Sequence, residues 1–287
     1  MLPATIGQRF SSETYGRPLR FGWSGSTCGA TGPLTPHGRA AAPSGAGSLE
    51  GVSQSIDARP TLLAVAHGTQ DERGRATVAE LVDLVASMRP GLDVQLSWLD
   101  HASPRVRDLA VKAERPLVAV PLLLSTGYHV RHDIPQAVSV APVRVMIARR
   151  LGPHPLLVDA LVDRLAEAGW SGGPGRLVLV AAGSSHAAAK RDVDDLAALV
   201  SERLGRPVAI GFAAAEPAIR TVVDSLRADG QGPVVVANYL LSPGQFADKV
   251  ATCTADVVPA PIGAHPAVAR LVLERYDAAV DLQVSIP

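Results

Sequence analysis

Thr61-Leu62-Leu63-Ala64-Val65-Ala66-His67-Gly68-Thr69 decides the fold. Its first six residues show no polar alternation. They read as a strand covered on both faces, the pattern of a parallel sheet. His67-Gly68-Thr69 then ends the run. Working outward, residues 76–88 place Val78, Leu81, Val82 and Val85 at helical spacing, and Arg89-Pro90-Gly91 stops them. Residues 94–99 are the next strand. Ser103-Pro104 predicts a helix start, an N-cap followed by proline at the first helical position. Residues 117–123 form a further apolar strand, because Pro121 is tolerated near a strand end. A helix from about Val130, a strand over 143–147 and a helix over 155–168 complete the run. The order βαβαβαβα is that of a doubly wound parallel sheet.

The same programme restarts after the linker Gly169-Trp170-Ser171-Gly172-Gly173-Pro174-Gly175. Strands are predicted over 177–181, 207–212, 233–237 and 256–258. Helices are predicted over 187–204, from Glu216-Pro217, over 245–252 and from Pro266 to about Val280. Four anchors recur in order, about 115 residues on. Ala66-His67-Gly68-Thr69 returns as Ala181-Ala182-Gly183-Ser184, and Ala102-Ser103-Pro104 as Ala215-Glu216-Pro217. The stretch from Pro121 to His129 returns as the stretch from Asn238 to Phe246. Leu151-Gly152-Pro153-His154-Pro155 returns as Ile262-Gly263-Ala264-His265-Pro266. The period is too long for a solenoid. The fold class is therefore α/β, with two tandem Rossmann-like parallel-sheet domains from an internal duplication, over 59–169 and 176–284.

Residues 1–58 read differently: 23 of these 58 are Gly, Ser or Pro. They carry no sustained hydrophobic period and no apolar core of a secretory signal, so they read as a disordered tail. The chain balances 27 Lys and Arg against 27 Asp and Glu. That argues against nucleic-acid binding and a polybasic membrane patch. No apolar run is long enough for a membrane span. Cys28 and Cys253 form no C-x-x-C pattern, which excludes a disulfide framework, a cysteine zinc site and a cysteine-ligated cluster as the basis of function. A reducing, cytoplasmic setting is expected.

The duplication compares two copies within one chain. His67 becomes Ala182 and His129 becomes Phe246, whereas His154 is kept as His265. A residue kept in both copies serves the fold. His154 and His265, each before a helix-opening proline, are therefore structural, and His67 and His129 are the chemical pair of a first, catalytic half. In a doubly wound sheet ligands bind outside the carboxyl ends of the strands. His67 ends the first strand, His129 follows the third, and Asp100 ends the second. Two imidazoles and a carboxylate with open positions suit a borderline divalent metal. Neutral imidazole also accepts protons near pH 7.

His67-Gly68-Thr69, Leu99-Asp100 with Ser103-Pro104, and the stretch from Val120 to Pro135 (VPLLLSTGYHVRHDIP) resemble the sirohydrochlorin chelatases. These are class II, ATP-independent enzymes related to protoporphyrin ferrochelatase and anaerobic cobaltochelatase. The resemblance covers residues 60–285 and implies two Rossmann-like domains with a tetrapyrrole cleft between them. It implies insertion of Fe²⁺ or Co²⁺, as substrate and with no permanent cofactor, in siroheme or cobalamin synthesis. Carried over by position, the active-site histidines are His67 and His129. The acidic metal residue falls on Asp100, where relatives commonly have Glu, and the neighbouring His101 reads as an incidental surface residue.

Sirohydrochlorin carries eight carboxylates, so its cleft needs donors and positive charge. Thr69, Arg73, Ser125, Thr126, Gly127 and Arg131 are the candidates from the first half. Ser184, Ser185, His186 and Ser242 are those of the second. Gly68, Gly127, Gly183 and Gly244 stand at strand–helix turns, where turn geometry and close approach to a ligand explain them equally. Shorter relatives build this cleft by dimerising, so a monomer is expected here. The alternative is a non-catalytic tetrapyrrole or metal carrier using the same crevice. A histidine phosphatase is disfavoured because Ala66, not Arg, precedes His67, and no P-loop occurs. Deleting residues 1–58 should leave the melting temperature and metal-insertion activity nearly unchanged; a large drop in either would show the segment to be structured.

Overall fold

Nearly all residues in strands β1 (Thr61–Ala66) and β7 (Val234–Asn238) are apolar, and both strands are buried along their whole length. A computed structural model describes residues 59–230 and 232–284. The expected tail over 1–58 lies outside the described residues. In chain order the elements are β1, α1 (Glu72–Met88), β2 (Val94–Trp98), α2 (Val106–Val111), β3 (Leu117–Pro121), a π-turn (His129–Asp133) running into α3 (Ile134–Val138), β4 (Val145–Ile147) and α4 (Pro155–Glu167). The second half repeats them as β5 (Arg176–Ala181), α5 (Ala187–Leu204), β6 (Val208–Phe212), α6 (Ile219–Ala228), β7, α7 (Gln245–Ala251) and α8 (Pro266–Val284).

All strand pairs are parallel. The first sheet has the order β2-β1-β3-β4, with Ala66 beside Trp98 and Val65 beside Pro121. Pro121, which has no N–H to offer, closes its strand. The second sheet has the order β6-β5-β7. The α/β duplication is as expected, with local corrections.

The predicted strand over 256–258 shrinks to a single bridge between Val235 and Val257. The Asp256 carboxylate accepts the Val234 N–H at 2.8 Å, and Pro259 and Pro261 stop further pairing. Neither Ser103-Pro104 nor Glu216-Pro217 starts its helix. The Pro104 carbonyl accepts from Trp98 N–H at 3.0 Å and the Pro217 carbonyl from Phe212 N–H at 2.9 Å. Each segment thus first extends its sheet, and α2 and α6 begin later, at Val106 and Ile219. Conversely, α1 begins earlier than its apolar stripe, because the Asp71 carboxylate caps it by accepting from Arg73 N–H at 2.9 Å.

The last helix of each half is exchanged. Helix α4 packs on α5 and β7 of the second half, α8 packs on α1, β3 and β4 of the first, and the two helices pack on each other. Linked polar contacts repeat at equivalent places. Arg164 of α4 donates to the Ile262 carbonyl at 2.9 Å. Arg275 of α8 donates to the Leu151 and Arg150 carbonyls, both at 2.9 Å. The bidentate Arg89–Asp277 pair and the Tyr276 hydroxyl on the Pro60 carbonyl, at 2.6 Å, fasten α8 further. Val268, Leu271, Val272, Leu273 and Tyr276 of α8 are buried. At about 1.5–3 kcal/mol each, they match the whole net stability of a typical domain. The apolar cluster accordingly runs through both halves, from Leu62 and Leu161 to Leu196 and Val268.

His154 and His265 play the structural part expected of residues kept in both copies. His154 Nδ1 accepts from Leu156 N–H at 3.3 Å, and His265 Nδ1 from Ala267 N–H at 3.2 Å, each at a helix start. Their Nε2 atoms reach across to the exchanged partner helix, 3.7 Å from Glu274 and 3.2 Å from Asp163. Burial holds both imidazoles below the usual histidine range, and Arg275 and Arg164 add to that at His154 and His265 respectively. An imidazole of depressed pKa is neutral in the fold, while the unfolded chain takes up a proton near 6.5. Their contribution is complete above that pH and is lost as pH falls through the folded-state values. Replacing both by Asn, a neutral cap, should make the urea midpoint fall less between about pH 7.5 and about pH 5 than in the wild type. An identical fall would overturn this assignment.

Candidate active site

His67 leaves β1 at its carboxyl end, and Gly68 turns the chain at φ +103°. A side chain is excluded there, because a Cβ would lie 1.7 Å from the Asp100 carbonyl oxygen. That close approach also lets Asp100 N–H donate to the His67 carbonyl at 2.9 Å, so the loops after β1 and β2 are locked together. His129 opens the π-turn, in which Ile134 N–H reaches back to the His129 carbonyl. Pro135 offers no N–H to the Arg131 carbonyl, which favours the wider turn. The two imidazoles meet edge to face, ring centroids 4.3 Å apart at 85°.

Both rings have Nδ1 on an oxygen acceptor. His129 Nδ1 lies 2.5 Å from Asp133 Oδ2, and His67 Nδ1 lies 3.2 Å from the Gly68 carbonyl. Carboxylate and carbonyl only accept, so in the neutral ring Nδ1 carries the hydrogen and Nε2 the lone pair. Asp133 is absent from the candidates that the sequence supplies. Its signal there is its spacing, four residues after His129 on a helical segment.

The pair lines a cleft of about 1370 Å³ at the carboxyl ends of β1, β3, β5 and β7. Thr69, Ser125, Thr126, Gly127, Ser184 and Ser242 line it too, as does His186. Four candidates are not brought there. The Asp100 carboxylate is held by Arg105 and by His101 N–H, both at 2.9 Å, and these contacts keep it below the usual carboxylate range. Arg73 spans Asp71 and Asp248, which hold its pKa above the ordinary arginine value, and Arg131 and Ser185 stay outside the lining. His101, expected to be incidental, does line the cleft, from a left-handed backbone at φ +56°. The cations on the lining are Lys190 and Lys249, both from the second half and neither among the sequence candidates. Among the described residues, no three His, Cys, Asp or Glu side chains are placed to hold a metal together, and no helix is long and apolar enough to cross a membrane.

The loop carrying Ser125, Thr126 and Gly127 is held by the other half. Thr126 N–H donates to Asp192 of α5 at 2.6 Å, and Arg150 pairs with the same carboxylate. Burial would raise that carboxyl; the Thr126 N–H and the Arg150 guanidinium outweigh it and hold it low. The Tyr239 hydroxyl, its pKa pushed up by burial, donates to the Leu124 carbonyl at 2.8 Å. Gly152 leaves room for that bond, since a Cβ there would sit 2.0 Å from the hydroxyl.

Comparison with known proteins adds names to this geometry. The family model described as CbiX matches the chain twice, over residues 61–168 and 176–279. The chain is 27% identical over 214 residues to the sirohydrochlorin ferrochelatase of Priestia megaterium, covering 69% of this chain and 79% of that protein. It is 24% identical over 123 residues to the sirohydrochlorin cobaltochelatase of Methanococcoides burtonii, covering 37% of this chain and 94% of that protein. Among solved structures, SirB from Bacillus subtilis with Fe³⁺ matches with a TM-score of 0.68 at 26% identity, over 79% of this chain and 98% of that one.

Asp192→Ala leaves Arg150 and Thr126 N–H without their partner. It should cost about 3 kcal/mol in urea unfolding and speed proteolysis near residues 125–127. Wild-type stability and cleavage would refute this anchoring.

Proposed function

This chain belongs to the CbiX family, and from that premise we propose that it inserts a divalent metal ion, Fe²⁺ or Co²⁺, into sirohydrochlorin. Relatives named for the iron and the cobalt reaction support the class of chemistry. The observation that carries the reading is the edge-to-face His67–His129 pair in a cleft larger than the roughly 300–1,000 Å³ of an ordinary small-molecule pocket. A macrocycle needs that room.

Insertion replaces two pyrrole N–H bonds by metal–nitrogen bonds and releases two protons. Two Nε2 lone pairs meet both demands. One holds the incoming ion while the other takes the two protons in turn, passing each to water. The Asp133 carboxylate on His129 Nδ1 stabilises the imidazolium that forms and fixes the ring's direction. A two-histidine site holds the metal loosely enough to release it, and Asp100, engaged by Arg105, is left out of this scheme. Thr69, Ser125, Ser184 and Ser242 offer hydrogen bonds to the substrate's carboxylates, and Lys190 and Lys249 offer positive charge. Residues 59–169 thus carry the chemistry, and 176–284 form a half without it. One chain supplies both walls and acts as a monomer.

The test is anaerobic mixing with sirohydrochlorin and each metal, followed by tetrapyrrole absorbance. Wild type should insert faster than the spontaneous rate, His129→Ala should abolish insertion, and His67→Ala should reduce it strongly. Asp133→Asn should lower kcat by about 10–100-fold while the Kd for sirohydrochlorin stays unchanged. Full activity in the double His→Ala variant would sink the mechanism. Binding without insertion by the wild type would favour a carrier.

A further inference from the structure

The position of His129 is occupied in the second copy by Phe246, and the structure gives that replacement a place. Phe246 sits in the first turn of α7, lines the same cleft and is 41% exposed. The chain has only four phenylalanines. Among the described residues just two aromatic side chains are both large and exposed, Phe246 and Tyr128, and both line this cleft. Isolated exposed apolar side chains need no explanation, but a ring left half in water inside a large cleft is poised for a ligand's flat face. The backbone supports the placement. Gly244, at φ +147°, turns the chain into α7 through a conformation that side chains rarely adopt. The first copy makes a π-turn here, the second a regular helix.

Two cations line the same cleft. Lys249 lies 5.8 Å from the Phe246 ring centroid, and Lys190 follows the start of α5. Neither ammonium is ion-paired with a carboxylate among the described residues. This differs from Arg73 in the first half, which is held by two.

We propose that Phe246 is a stacking platform for the tetrapyrrole, so that the second half grips one face of the macrocycle while the His pair addresses the other. Lys190 and Lys249 take carboxylates at the rim of the stacked ring. The second half is then the recognition half of the site, built from the same fold by exchanging a proton acceptor for a π surface. This inference rests on the tetrapyrrole reading above.

The test is equilibrium binding of metal-free sirohydrochlorin to the full chain, with Co²⁺ binding measured separately. Phe246→Ala should weaken sirohydrochlorin binding about tenfold, and Phe246→Tyr should restore it, while Co²⁺ affinity is unchanged in both. Thermal melting confirms that the variants fold. Tetrapyrrole affinity within about twofold of wild type in Phe246→Ala, or full restoration by Phe246→Leu, overturns the platform. A wild type that binds sirohydrochlorin without inserting metal overturns the insertion reading and leaves the platform standing. A wild type that inserts metal while Phe246→Ala binds normally overturns the platform alone.

Discussion

The exchange of α4 and α8 is the constraint on which everything else in the molecule depends. Each sheet is covered by the other half's last helix, so neither half can bury its apolar face alone. The five buried side chains of α8 named above are worth as much as a typical domain's net stability. The polar contacts follow the same logic. Arg164 and Arg275, and His154 and His265, make equivalent contacts across the junction. They pin the two copies in one relative position, and the cleft is the space this position leaves.

The site inherits that dependence. The His pair belongs to the first half, but the loop leading to His129 is fixed by Asp192 and Tyr239 of the second. Changes far from the imidazoles therefore reach them through backbone bonds. The electrostatics divide along the same line. In the first half, acidic partners occupy Arg73. In the second, the lysines remain open to a ligand. A chain with no net charge thus still presents to its cleft two cations without a carboxylate partner among the described residues, with no excess of positive residues.

Strand order and the duplication are legible in the sequence because fully buried strands and glycine turns impose local patterns. The runs over 61–66 and 177–181 could hardly be anything else. That His67 and His129 share one cleft is legible because the two copies can be compared. Helix starts at Ser103-Pro104 and Glu216-Pro217 mislead, because the proline carbonyls are taken up by the sheet edge, a tertiary effect. The helix exchange has no local signature: α4 has the same amphipathic pattern whichever sheet it covers. Arg73 and Asp100 look available because their partners, Asp248 and Arg105, meet them only in the fold, and Asp248 lies far along the chain. Lys190 and Lys249 escape notice for the converse reason, since an exposed lysine on a helix is ordinary until the helix is seen to end in a cleft.

Gly74 has a mechanical consequence. It lies where α1 passes the loop before α7, so close that a Cβ would stand 2.7 Å from the Pro243 carbonyl oxygen. Together with the crossed helices, this is a contact that a hinge closure between the halves would have to break. A guest bound without breaking those contacts would adapt its own shape to the walls, and the work of deformation would fall on the ligand instead of the chain.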